Sequence, residues 1–351
     1  MKDFDIRPLI RPHLLDMKPY SSARDEFTGK SDVYLDANEN ALGSVGSRDL
    51  ARYPDPHQLA IKEKLSVLKG VQPEQIFIGN GSDEPIDLLI RAFCVPGRHQ
   101  ILIQPPTYGM YEVSANVNAV GVRKVPLRVD YQLDVPAVRA AIDENTRLIF
   151  VCNPNNPTGT RINADDTLAV ARDFDGLLVV DEAYIDFSGQ ESFISQIAST
   201  PNIVVLQTFS KAWGLAAARV GMLYAHQDVV AILNKIKPPY NVNAMSQEVV
   251  LEALEKVAEK ISYVDQLVQL RSVLQHRLEK LAVVQAVYDS DANFLLTKLT
   301  NPVNLYHFLI EKGIIVRDRS KVQLCEGCLR ITVGTTEENE RLLEAMGQFE
   351  G

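Results

Sequence analysis

Between about residues 55 and 240, short runs rich in Ile and Val alternate with amphipathic, helix-like segments. The runs are Gln75–Gly79, Gln100–Gln104, Arg147–Cys152, Leu177–Asp181 and Asn202–Leu206. They show little polar alternation, so each reads as a strand buried on both faces, as in a mostly parallel sheet. The segments between them have recognisable ends. Asp55 is placed to cap a helix with Pro56 at its first position and Gly70 just beyond its end. The alternation predicts an α/β architecture in which helices flank the sheet.

The texture changes after Pro238-Pro239. Residues 245 to 281 form a helical stretch nearly free of Gly and Pro, with Val249, Leu254, Val257, Ile261, Val264, Leu267 and Leu270 repeating at three or four. Short strands and two more helices follow, near 302–312 and 336–349. A length of 351 residues suggests about two domains. The expectation is an arm over 1–35, a large domain over 36–240 and a smaller α+β domain over 241–351.

Charge narrows the partners. Lys plus Arg number 36 against 45 Asp plus Glu, a net charge of −9, and no basic block occurs. That argues against nucleic acid or an anionic membrane surface. No apolar run approaches the roughly 18 residues that span a bilayer, and the first residues lack the apolar core of a secretion signal. A cytoplasmic protein is expected. The four cysteines include one CxxC, Cys325 to Cys328, with no second pair, so a turn between strands is expected there rather than a metal.

Chemistry concentrates around Lys211 in Thr208-Phe-Ser-Lys-Ala-Trp. A lysine among small and apolar residues after a buried strand needs a purpose or a partner. Desolvation favours the neutral, nucleophilic amine that forms a Schiff base; the plainer reading is a strand-end lysine reaching solvent. Asp181 ends another buried strand, 30 residues earlier, where α/β sheets bind ligands. A carboxylate there suits the ring nitrogen of pyridoxal phosphate, although Asp-Glu after a strand is as often a helix cap.

Three further segments fit that cofactor. Asn153-Pro-Asn-Asn-Pro-Thr-Gly159 fixes a turn that holds Asn156 toward a ligand. Gly79-Asn-Gly-Ser82-Asp83 opens a helix whose free amides suit a phosphate, and Ser210 and Arg219 flank Lys211 as further phosphate contacts. Tyr108 follows Pro105-Pro106, where its ring is placed either to stack on a flat cofactor or to pack in the core.

In order and spacing these blocks resemble the pyridoxal-phosphate-dependent aminotransferases of the large fold type I class, and among them the histidinol-phosphate aminotransferases. The likeness spans nearly the whole chain, from Lys18-Pro-Tyr20 and Asp36-Ala-Asn-Glu-Asn40 through Arg52-Tyr53-Pro54 to Arg317-Asp318 and Cys328-Leu-Arg330. It implies pyridoxal 5′-phosphate as cofactor, Lys211 as Schiff-base lysine, Asp181 as partner of the ring nitrogen, and Asn156 and Tyr184 as donors to the ring hydroxyl. Tyr108 would stack on the ring. The phosphate would meet Ser82, Asp83, Ser210, Arg219 and, from a second subunit, Tyr53, which implies a homodimer with shared sites. Tyr20, Asn38, Arg317 and Arg330 would contact substrate.

The activity implied is transamination between histidinol phosphate and 2-oxoglutarate in histidine biosynthesis. Alternatives are an aromatic amino-acid aminotransferase or a decarboxylase of a phosphorylated amino acid. There are departures from the pattern: Ala41 stands in place of a common proline, Trp213 in place of a phenylalanine, and no glycine lies two residues before Arg219. The last puts the backbone packing near the phosphate in question.

Overall fold

A computed structural model describes residues 5–20 and 32–350. Seven strands form the larger sheet: β1 (Ile76–Asn80), β2 (Gln100–Ile103), β3 (Gly121–Lys124), β4 (Thr146–Cys152), β5 (Leu177–Asp181), β6 (Ile203–Thr208) and β7 (Val220–Tyr224). Their spatial order is β1-β7-β6-β5-β4-β2-β3. Pairing is parallel except at β7, which runs against both β1 and β6. Every residue of β5, β6 and β7 is buried.

Burial on both faces follows from composition. Successive side chains on a strand point to opposite sides, and here both sets are apolar. Ile76, Ile78, Ile149 and Val151 enter one core, while Phe77, Leu148 and Phe150 enter the other. Helices α1 (Pro12–Leu15), α2 (Leu59–Lys69), α3 (Asp83–Phe93), α4 (Met110–Val117), α5 (Val135–Ala141), α6 (Ala164–Asp173) and α7 (Gln227–Ile236) accompany this sheet.

Two strands escape the sequence pattern. β3 is the short sheet-edge sequence Gly-Val-Arg-Lys, largely exposed, and so lacks an apolar signature. β7 begins directly at Val220, hidden behind the Lys211–Arg219 segment. The helix expected at Asp55 starts at Leu59 instead. Asp55 still serves it, accepting the Leu59 amide at 2.6 Å, and Gly70 closes it with a left-handed φ of 69°.

The stretch over 245–281 is two helices, α8 (Ala244–Leu254) and α9 (Val257–Leu278). They are separated at Glu255-Lys256, where Lys256 has a non-helical ψ of 36°. A second, four-stranded antiparallel sheet follows, with β8 (Val284–Val287), β9 (Phe294–Leu299), β10 (Arg317–Asp318) and β11 (Cys328–Thr332) in the order β10-β11-β9-β8. Its core combines Leu295, Leu299, Leu329 and Ile331 with Leu274 and Leu278 of α9. Helices α10 (Pro302–Glu311) and α11 (Thr336–Gly347) complete it.

The Cys325 amide-to-thiol segment forms a turn between β10 and β11, closed by Cys328 N to Cys325 O at 2.9 Å. Both thiols are buried and unoxidised. Among the described residues no helix is long and apolar enough to cross a membrane.

Candidate active site

The polarity of the strands gathers the site. β4, β5 and β6 run parallel, so Asn153, Asp181 and Phe209 all follow or end strands at the same edge of the sheet. β7 runs the other way and brings its beginning, with Arg219, to that edge as well. One cavity there is lined by Ser82, Asp83, Tyr108, Cys152, Asn156, Asp181, Tyr184, Ser210, Lys211 and Arg219. Nine of these ten were expected from sequence; Cys152, which pairs with Asp181 across β4 and β5, was not. Ala183, Thr208 and Ala216 complete the lining.

Asp181 is 2 % exposed. Its Oδ2 accepts the Tyr111 hydroxyl at 2.6 Å and its Oδ1 the Ala183 amide at 3.1 Å. Burial raises its pKa, and these two hydrogen bonds oppose the rise. It makes no ion pair among the described residues. A buried carboxylate in this state has lone pairs free and calls for a positive partner.

Lys211 is exposed in the single chain rather than enclosed, because it follows β6 at the open edge of the crevice. Its amine lies 5.6 Å over the Tyr184 ring. Although the side chain reaches solvent, partial desolvation by the crevice walls lowers its pKa, the Arg330 guanidinium adds to this, and Asp181 opposes it. Asn156 Nδ2 donates to Tyr184 Oη at 3.3 Å, which brings together the two groups expected at one ring substituent.

The opposite end of the cavity suits an anion. The first amides of α3 have no acceptor within their own helix, and Gly81 before them has φ 73°. A Cβ at Gly81 would lie 2.6 Å from Arg219 Nη2, and one at Gly221 would lie 2.4 Å from Ser82 N. Two chain segments therefore close on one point only because glycine occupies both positions. Arg219, itself left-handed at φ 54°, reaches Ser210 Oγ at 3.5 Å and Asp83 Oδ2 at 3.4 Å. Tyr108 Oη donates to Asp83 Oδ1 at 3.1 Å. The close packing survives the missing glycine before Arg219, since Ala216–Ala218 forms a 3-10 turn there.

Other expected residues lie around rather than in this cavity. Arg330 approaches from the second sheet and sits 5.1 Å over Phe294. Arg317 pairs directly opposite it on β10. Arg319, not anticipated, joins the same ribbon through its amide to Cys328 O at 3.0 Å. Burial and repulsion from Arg330 and Arg317 lower its pKa. The Nε atoms of Arg319 and Arg330 are buried and unpartnered among the described residues. Arg319 lies just past the end of β10, so only its closeness to Arg317 in sequence could have signalled it.

Tyr53 and Asn38 line a separate cavity with Glu39 and Tyr240. Tyr53 stacks on Tyr240 with centroids 4.5 Å apart. Tyr20 is 71 % exposed. The residues that follow it, 21–31, lie outside the described residues.

The sequence model of "Aminotransferase class I and II" matches residues 27–346. The chain belongs to the class I and II aminotransferases. Among curated members, it is 51% identical over 346 residues to a histidinol-phosphate aminotransferase of Cytophaga hutchinsonii, covering 99% of both chains. It is 49% identical to that of Parabacteroides distasonis, covering 97% of this chain and 98% of the relative. A solved histidinol-phosphate aminotransferase from Sinorhizobium meliloti, in complex with pyridoxal-5′-phosphate, shares the fold with a TM-score of 0.78 at 23% identity, covering 89% of each chain. An aminotransferase of this class is thus the frame in which the cavity's chemistry belongs.

Proposed function

We propose that this chain is a transaminase that moves the amino group of L-histidinol phosphate to 2-oxoglutarate, giving imidazole-acetol phosphate and L-glutamate in histidine biosynthesis. Pyridoxal 5′-phosphate is its cofactor. The observation that carries this reading is the buried Asp181 carboxylate, without an ionic partner among the described residues, in one cavity with the Lys211 amine. The full-length identity of 51% to a histidinol-phosphate aminotransferase supports the substrate.

The residues fit the cofactor. Asp181 would meet the charged ring nitrogen, Asn156 and Tyr184 the ring hydroxyl, and Tyr108 the ring face. The Gly81–Asp83 turn, Ser210 and Arg219 would hold the phosphate, a dianion that would compete with the Asp83 carboxylate for Arg219. Bound pyridoxal phosphate supplies a carbonyl that takes up amino groups and a pyridinium ring that withdraws electrons.

Lys211 Nζ would hold the cofactor covalently and, once free of it, would carry the proton removed from the substrate carbon. Its lowered pKa suits both tasks, since the neutral amine is the nucleophile and the base. Such a positioned base contributes ~10²- to 10⁴-fold. Arg330, with Arg317 and Tyr20, receives the phosphate of the donor and then a carboxylate of 2-oxoglutarate, because a guanidinium presents the same planar fork to both. The two half-reactions follow a ping-pong order.

The site is completed by a second copy of the chain in a homodimer, whose Tyr53 reaches the cofactor phosphate. The enzyme works in the cytoplasm. The test is a donor screen with 2-oxoglutarate. Histidinol phosphate is expected to outpace phenylalanine at least about tenfold in kcat/KM, with no carbon dioxide from phosphothreonine. A preference for phenylalanine, or release of carbon dioxide, overturns the substrate.

A further inference from the structure

Tyr111 is the one side chain hydrogen-bonded to Asp181 among the described residues, and the scheme above leaves it unused. It sits in the first turn of α4 and is fully buried. Its ring stacks on Phe150 with centroids 4.7 Å apart and meets Tyr108 edge-on at 5.5 Å. Packing on both sides fixes where the hydroxyl points. The 2.6 Å separation to Asp181 Oδ2 is in the range of a charge-assisted O–H···O⁻ bond.

The geometry points to Tyr111 as a positioning residue of the transamination, whose hydroxyl orients the Asp181 carboxylate toward the ring nitrogen of the cofactor. This rests on the role given to Asp181 above. The bond occupies Oδ2 and the Ala183 amide occupies one site on Oδ1, so the carboxylate cannot rotate freely and keeps lone pairs for a ligand. It also favours the ionised carboxylate where burial opposes it. Without it Asp181 becomes the stronger base, draws the proton from the ring nitrogen, and leaves the ring a poorer electron sink.

The charged and titratable groups facing this pair are Cys152 from β4, Lys211 after β6, Asp83 at the start of α3 and, toward Asp181 through the cavity, Tyr108 and Tyr184. None of them supplies a second hydroxyl bond to Asp181. A tyrosine that merely fills the core would contribute its ring alone, and Phe would replace it without consequence for the cofactor.

The experiment compares wild-type and Tyr111→Phe holoenzyme. The variant keeps the ring stack and removes the hydroxyl. Its dissociation constant for pyridoxal phosphate is expected to rise roughly tenfold, the scale of one lost bond to a charged group. The pH midpoint of the bound cofactor's visible absorbance is expected to move upward, and kcat to fall with the donor KM nearly unchanged. In an Asp181→Asn background the same substitution is expected to change cofactor affinity less than about twofold, because the two act through one bond.

Unchanged affinity and superimposable titrations for Tyr111→Phe overturn the proposal, as does an equal loss in both backgrounds. If Tyr111→Phe does not fold, 3,5-difluorotyrosine at position 111 retains the ring with a stronger donor and is expected to move the midpoint downward; an unmoved midpoint overturns the proposal. Failure of the underlying reading looks different: Asp181→Asn alone then leaves affinity and titration untouched. The cofactor readouts stand whatever the amino donor.

Discussion

Arg330 Nη1 donates to Asn156 Oδ1 at 2.5 Å, joining the second sheet to the loop after β4. One guanidinium nitrogen is thereby tied to the side chain proposed to meet the ring hydroxyl, while its buried Nε has no partner among the described residues. Arg330→Lys keeps the charge and loses the fork. KM for both histidinol phosphate and 2-oxoglutarate is expected to rise at least about tenfold, measured by steady-state kinetics. Unchanged KM for both would remove Arg330 from the substrate site.

Gly221→Ala tests the phosphate cradle. Its Cβ would meet Gly81 C and Ser82 N, both backbone atoms at 2.4 Å, and Gly81 is tied down by its amide donating to Arg219 O at 2.7 Å and by a bridge to Val220. The overpacking is expected to cost about 1–3 kcal/mol. A lowered Tm together with weaker cofactor binding checks it. A variant with wild-type cofactor affinity would show that the turn can move without harm.

The proposed sharing of active sites between two subunits has a direct signature. Lys211→Ala and Tyr53→Ala each damage a different half of the site. After unfolding, mixing and refolding, a hybrid dimer carries one site with both changes and one with neither, so the mixture is expected to recover roughly a quarter of wild-type activity. No recovery, with hybrids confirmed by native mass spectrometry, would assign Tyr53 to its own chain.

Glu182, next to Asp181, is 1 % exposed and accepts from Ser192 Oγ, the Phe193 amide and Gln207 Nε2. Burial pushes its carboxyl up to about 7 from 4.5. A raised carboxyl contributes stability that is complete below the unfolded value and lost as pH rises through the folded one. Between pH 4.5 and 7.5 the wild type is therefore expected to lose up to about 3 kcal/mol relative to Glu182→Gln, whose side chain does not titrate. Urea unfolding across that range decides it; parallel stability curves would contradict it.

The reach of the sequence is uneven for physical reasons. β5 was legible to the residue because Leu177–Asp181 is buried on both faces and ends in a carboxylate. β3 was not, because an exposed edge carrying Arg and Lys has no apolar pattern. The break at Glu255-Lys256 left no Gly or Pro as a marker. In the site, Lys211, Asp181, Asn156 and Arg219 were legible from strand ends and turn residues. Tyr111 carried no signal in the sequence, because its partner lies 70 residues away and only the fold brings them to 2.6 Å. Whether Lys211 is enclosed or reaches solvent stayed open from sequence, because its apolar neighbours do not reveal that it lies at the open edge of the sheet.

The attachment point of the cofactor is the measurement on which the account stands. Borohydride reduction of the holoenzyme followed by peptide mass spectrometry is expected to place a phosphopyridoxyl group on Lys211 and on no other lysine. A stable adduct elsewhere, or none from a protein that still turns over histidinol phosphate, would contradict it.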